Sequence, residues 1–296
     1  MTDLLGFPQN DPKDQCGTVI PILGYEVDTN EFILRVPANK LQEAYRATAQ
    51  ALEKESLNLM EADYLAGFLG FSAPAVQLGR VFLRQLWSFI ASFSQNQSRF
   101  LKKRIPKPLR DDLTWWRDLL PKWNGIYFFD NFARHEISLF TDASGFGLGG
   151  YYTRGKEQVN PKEIPIQNAF AVPFIAPDTF DINIYELKAI EFALRTWGQQ
   201  WAGSKVTVFT DNKASEQGIL KETLRGGANA PLRECLLLAA QYNIALDSHW
   251  IPGASNILAD ALSRFDDNTI TNLCPHWQNF STSILLRRNG RTNSNI

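Results

Sequence analysis

The chain has 296 residues, 44% of them hydrophobic and 21% charged, with 30 Lys and Arg against 31 Asp and Glu for a formal net charge of -1. That composition describes a soluble globular protein of about two domains and excludes disordered, collagen-like and membrane-spanning classes. The most apolar stretch, Tyr64 to Val76, is interrupted by Gly and Ser and falls short of the ~18 residues a spanning helix needs. The opening MTDLLGFPQN lacks the basic and long apolar regions of a signal peptide, so an intracellular, non-secreted protein is expected. Cys16, Cys235 and Cys274 are odd in number and far apart, which fits a reducing compartment, and Cys274 with His276 forms only a C-x-H, too little for structural zinc.

In chain order, residues 18–36 hold two β-branched and aromatic runs around Asp28, Thr29 and Asn30, which predict a hairpin. Three segments, Pro37 to Ser56, Leu57 to Phe71 and Gly79 to Phe93, then predict a small helical domain over residues 37–105. In the last of them Val81, Leu83, Leu86, Trp87 and Ile90 share one face, and Arg80 and Arg84 another. Pro106 and Pro108 read as helix breakers opening a linker over 106–135, with a short helix from Leu113 to Leu120 inside it. From Ile137 the grammar becomes mixed. ISLFTD, GLGGYYT and AFAVPFI read as strands, Asn183 to Trp201 as a helix, KVTVFTD as a strand, Asn212 to Leu220 and Pro231 to Gln241 as helices, IALDSHWIP as a strand and Asn256 to Arg264 as a closing helix. That order predicts one α/β domain over 136–266. The tail, 267–296, is polar and is expected to carry little fixed structure.

Four carboxylates stand where a carboxylate needs a reason: Asp142 and Asp211 at strand ends, Glu186 in the first turn of a long helix, and Asp260 in the last helix. Singly, each has a local explanation. Asp211 would cap the helix beginning at Asn212, Glu186 would complement a helix dipole, Asp142 would make an Asx turn, and Asp260 would be solvated. Jointly, acids converging from distant segments are how hard cations such as Mg²⁺ are held.

The charge balance is uneven. Residues 77–122 carry ten Lys or Arg, among them Arg80, Arg84, Lys102, Lys103, Arg104 and Lys107, against Asp111, Asp112 and Asp118. Such a segment can track a nucleic-acid backbone even though the whole chain is near neutral, and a solvated linker or a nuclear-import signal at KKR is the plain alternative.

The strings FTDASGFGLGGYY, YELKAIEFALRTW, VFTDNKAS and HWIPGASNILADALSR resemble the ribonuclease H domain of retroelement reverse transcriptases, the last of them especially the gypsy and DIRS-like group. The resemblance implies a ribonuclease H-like mixed β-sheet flanked by helices, preceded by a small mainly helical thumb and connection region. It also implies cleavage of the RNA strand of RNA/DNA hybrids, with Asp142, Glu186, Asp211 and Asp260 holding two Mg²⁺ ions or Mn²⁺ in their place. Asn256, four residues before Asp260, would share its helix face and brace the loop before the site. One position departs from the pattern: where such enzymes carry a mobile His, this chain has Trp250, and the adjacent His249 is expected to face the other side of its strand. Gly145, Gly147 and Gly149 mimic part of a dinucleotide fingerprint, but a strand follows them, so tight turns and close strand approach explain them better.

The first half resembles the end of the palm (1–36), the thumb (37–105) and the connection (106–135) of a DIRS-like reverse transcriptase, with Lys13 resembling a lysine near the polymerase site. No Tyr-x-Asp-Asp occurs, so DNA synthesis by this chain alone is not expected. Two rival readings stand beside a hybrid-specific nuclease: a catalytically silent nucleic-acid-binding relic, and a transposase- or integrase-type nuclease of the same fold.

Overall fold

The computed structural model describes residues 16–94, 98–122, 124–127, 134–155, 160–174, 177 and 180–277, so Lys13 lies outside the described residues. The chain divides into two compact units, residues 1–131 and 132–296.

The first unit opens with β1 (Val19–Ile22), β2 (Tyr25–Asp28) and β3 (Ile33–Arg35), an antiparallel meander where one hairpin was expected. The extra turn comes from Leu23 and Gly24, both at positive φ, which split the first apolar run in two. Three helices follow: α1 (Ala38–Leu52), α2 (Leu59–Ser72) and α3 (Arg84–Ala91). Asn58 and Glu61 start α2 with a reciprocal capping box. A two-residue ladder pairs β4 (Ser56–Leu57) with β5 (Lys103–Arg104). The helix expected from Leu113 begins earlier, as α4 (Lys107–Leu119), because Pro106 and Pro108 sit at its cap and first turn, where a missing N–H costs nothing. Trp116 of α4 is fully buried and donates its indole N–H to the Phe82 carbonyl at 3.2 Å, while Trp115 stacks on Phe82 at 3.8 Å. A final strand, β6 (Ile126–Tyr127), joins the edge of the meander.

The second unit is built on five strands: β7 (Glu136–Ala143), β8 (Gly147–Arg154), β9 (Ala169–Pro173), β10 (Lys205–Thr210) and β11 (Ala245–Trp250), in the order β11-β10-β7-β8-β9. β7, β8 and β9 run antiparallel, whereas β10 lies parallel to β7 and β11 parallel to β10. Alternation sends successive residues to opposite faces. On one face Tyr152 and Phe170 meet Trp197 of α5 (Ile182–Trp197), which packs with α6 (Lys213–Lys221) and α7 (Asn229–Gln241). On the other, Phe140, Tyr151, Ala169 and Ala171 bury against Leu258, Ala259 and Leu262 of α8 (Ile257–Arg264). This is the expected α/β arrangement, a mixed β-sheet flanked by helices.

The tail beyond α8 is structured as far as it is described, through Trp277, and residues 278–296 lie outside the described residues. Asp266 caps α9 (Asp267–Leu273), and Ile270, Cys274 and Trp277 complete the core on the α8 face, so three apolar side chains order a segment whose composition is polar. No helix among the described residues is long and apolar enough to cross a membrane.

Candidate active site

Asp142 is the penultimate residue of β7, and Asp211 follows the last residue of β10. Because the two strands are parallel neighbours, both acids stand at the same carboxyl edge of the sheet. Glu186 reaches that edge from α5, one residue past the first turn where it was expected. One carboxylate oxygen from each of the three residues lies within 4.8 Å of the others.

The structure removes three of the local explanations. Asn212, and not Asp211, caps α6, accepting the Ser215 N–H at 2.8 Å. Ser144, and not Asp142, makes the turn after β7, its hydroxyl accepting from the Phe146 and Gly147 N–H groups. Glu186 lies too deep in α5 to serve the helix dipole and is 4% exposed. Asp260 is the exception: it stays outside the three-acid group, half-exposed, with Oδ1 accepting from the Arg264 guanidinium at 2.6 Å.

Burial and mutual repulsion unsettle these acids. Burial first, then the charges of Asp142 and Asp211, push the Glu186 carboxyl up to about 9. Burial, with further repulsion from Asp211 and Asp260, lifts Asp142 to about 6 despite a hydrogen bond from Ser263. Asp211 is raised as well, chiefly by burial and then by Asp260, against the pull of Arg264. Glu186 Oε1 takes only a long 3.4 Å contact from the Ala143 N–H, and its buried Oε2 has no partner among the described residues. A buried carboxylate with an unpartnered oxygen beside two more carboxylates fits a hard divalent cation, which would offset their charge.

Several residues missed by sequence reasoning frame the acids. Trp250 donates its indole N–H to the Asp211 carbonyl at 2.9 Å, and Lys213 lies over its ring at 5.0 Å. Gly253 has no side chain to spare: a Cβ there would stand 2.8 Å from Asp211 Oδ2. Ser263 donates to Asp142 Oδ2 at 2.6 Å. All of these except Lys213 lie in the HWIPGASNILADALSR string, where the sequence marked Trp250 only as a departure from the family pattern and gave no signal for Gly253 or Ser263. Asn256 is the cap residue of α8, one helical turn before Asp260, whose N–H it accepts at 3.0 Å, and its Nδ2 donates to the Thr141 carbonyl at 2.9 Å. His249 is exposed and lines a shallow cleft of about 320 Å³ with Lys205, Thr207, Phe209 and Asp247.

The N-terminal RNase H domain of a Mycobacterium tuberculosis protein, solved as a fusion with maltose-binding protein, is 17% identical over 44% of this chain and 97% of that chain, with a TM-score of 0.32. RNase H1 from the halophilic archaeon Halobacterium salinarum NRC-1 is 14% identical over 45% of this chain and 99% of its own, with a TM-score of 0.33. A foamy viral protease-reverse transcriptase bound to double-stranded DNA is 14% identical over 78% of this chain, with a TM-score of 0.31, and this chain spans 38% of its length. The likeness is of fold alone. No protein-family profile matches the chain. No curated protein matches it either.

The basic segment divides by use. Lys103 makes contacts within its own unit, donating to the Ser92 carbonyl at 2.6 Å and lying 4.7 Å over the Phe93 ring. Arg80, Lys102, Arg104 and Lys107 are exposed and Arg84 half-exposed, and none of their side chains makes a hydrogen bond or ion pair among the described residues. Arg104 and Lys107 line a cleft of about 730 Å³, but Glu53 and Glu55 line it too, so its charge is mixed.

Proposed function

We propose that the second unit is a divalent-cation-dependent nuclease of the ribonuclease H type, cleaving the RNA strand of an RNA/DNA hybrid. The observation that carries this reading is the convergence of Asp142, Glu186 and Asp211 from three separate elements, with one oxygen of each inside a 4.8 Å circle and no local role left for any of them. Those three acids would hold one Mg²⁺, and Asp260, released from Arg264, would help hold a second; Mn²⁺ suits the same oxygen donors. When bound, such ions activate a water and offset charge on the leaving 3′ oxygen. The chain's own part is positional. Trp250 holds the Asp211 backbone carbonyl, Gly253 leaves room for the Asp211 carboxylate, Asn256 ties α8 to the strand beside Asp142, and no protein nucleophile is required.

The quoted strings support placing this nuclease at the back of a gypsy- or DIRS-like retroelement reverse transcriptase, with 1–36 as the end of the palm, 37–105 as thumb and 106–135 as connection. In that setting Arg80, Arg84, Lys102, Arg104 and Lys107 contact phosphates, which makes binding fall with salt. Lys103 belongs to the same set, with one of its three ammonium donors already used on the Ser92 carbonyl.

The test compares RNA/DNA hybrid with duplex DNA in Mg²⁺. Hybrid-only cleavage, abolished by Asp142→Asn and by Asp211→Asn in folded protein, is expected. Salt-sensitive binding without cleavage would point to a silent relic, and cleavage of DNA strands to a transposase-type nuclease; equal activity in parent and variants would sink the reading.

A further inference from the structure

Helix α8 is pinned to β7 on both sides of Asp142. At its start Asn256 binds the Thr141 carbonyl, and at its end the Ser263 carbonyl accepts from the Ser144 hydroxyl at 2.7 Å. Between these ties lies Gly149, the cross-strand partner of Asp142. A Cβ on Gly149 would stand 2.3 Å from the Ser263 nitrogen and 2.6 Å from the Ala259 carbonyl oxygen, so the helix backbone rests directly on the strand. That seat brings Ser263, fully buried, over Asp142, where its hydroxyl meets Oδ2 at 2.6 Å.

A serine inside a helix ordinarily returns its proton to the preceding turn, and the Asp260 carbonyl is available at 2.9 Å. The hydroxyl has one proton for two acceptors. The carboxylate is the shorter contact and, when charged, the stronger acceptor, so the proton goes to Asp142. One oxygen of Asp142 thereby has a fixed donor, which biases the buried carboxylate toward one orientation.

We propose that Ser263 is a positioning residue that sets the cation affinity of the acid cluster by orienting Asp142, with Gly149 providing the helix seat that makes the contact possible. The inference rests on the nuclease reading above and names a determinant of the same site. An outer partner that orients a ligating carboxylate is typically worth roughly 10- to 100-fold in metal affinity or activity.

The experiment is a double-mutant cycle on the full chain with Ser263→Ala, Asp142→Asn and the pair, fold checked by circular dichroism and Mg²⁺ or Mn²⁺ affinity measured by calorimetry. Ser263→Ala should weaken cation binding by roughly 10- to 100-fold and lower kcat on hybrid with KM unchanged, and the loss should be overcome by raising cation concentration. In the Asp142→Asn background the same serine change should cost nothing further in cation affinity, because the group it orients is gone. Parent-like affinity and kcat in Ser263→Ala would overturn the proposal, as would an equal loss in both backgrounds. A parent protein that binds no cation and leaves the hybrid intact would overturn the nuclease reading itself.

Discussion

Each unit buries an aspartate to the same degree, and the two are treated in opposite ways. Asp28 in the first unit and Asp142 in the second are both 5% exposed. Asp28 accepts the N–H groups of Asn30 and Glu31 on one oxygen and the Arg35 guanidinium at 2.6 Å on the other. It is a closed turn: charge, hydrogen bonds and backbone are all satisfied within eight residues of sequence. Asp142 receives a single hydroxyl and faces Glu186 and Asp211. The first arrangement stabilises a fold. The second destabilises one, and persists because the sheet and α8 over-determine where the acids stand.

The largest way to sharpen that contrast is to damage the first unit alone. Trp116→Ala removes a fully buried indole and should cost about 3–5 kcal/mol by thermal or urea unfolding, while the cation affinity measured on folded protein stays that of the parent. Next is Glu186→Gln, which replaces an acid that the folded chain keeps protonated at neutral pH with a side chain that needs no proton. Without cation it should raise the melting temperature at neutral pH, and it should weaken cation binding severalfold or more by calorimetry.

The same acids set a pH dependence whose sign is determined. Both are raised in the folded state, so the folded protein keeps protons that the unfolded chain has released. In chelator, stability should therefore fall as pH rises from 3.8 to about 6 on account of Asp142, and from 4.5 to about 9 on account of Glu186. A melting temperature that is flat over this range, or a slope unchanged in Glu186→Gln, would break the comparison. The smallest effect is expected at Arg35→Ala, about 1–2 kcal/mol, because its partner Asp28 keeps two backbone donors and the arginine is itself one-third exposed. No change in cation binding accompanies it.

Where the sequence was misread, local chemistry had two outcomes and packing chose. Pro106 and Pro108 are helix breakers in the interior and helix starters in the first turn, and only the seat for Trp116 makes the second reading hold. The tail was read by its polar average, which three buried side chains overrule. Gly147 and Gly149 were assigned to turns and strand approach, yet the tightest approach at Gly149 is a helix lying on the strand. Ser263 was invisible for a related reason: a serine in a helix carries no message until the element opposite it is known.

The amino-acid sequence by itself determined the periodicities of both units, the split of charge into a basic segment and scattered acids, and the four acids worth watching, because residue type and spacing are local properties. Tertiary structure alone decided that three of those acids meet while Asp260 turns to Arg264, that Lys103 donates to the Ser92 carbonyl, and that Trp250 and Ser263 hold the acids they touch. For the cluster the physical reason is distance along the chain: Asp142 and Asp211 meet because β7 pairs in parallel with β10, Glu186 comes within 4.8 Å of both from α5, and Ser263 reaches Asp142 because α8 is seated on glycine, whereas the Asp260–Arg264 pair is a contact within one helix.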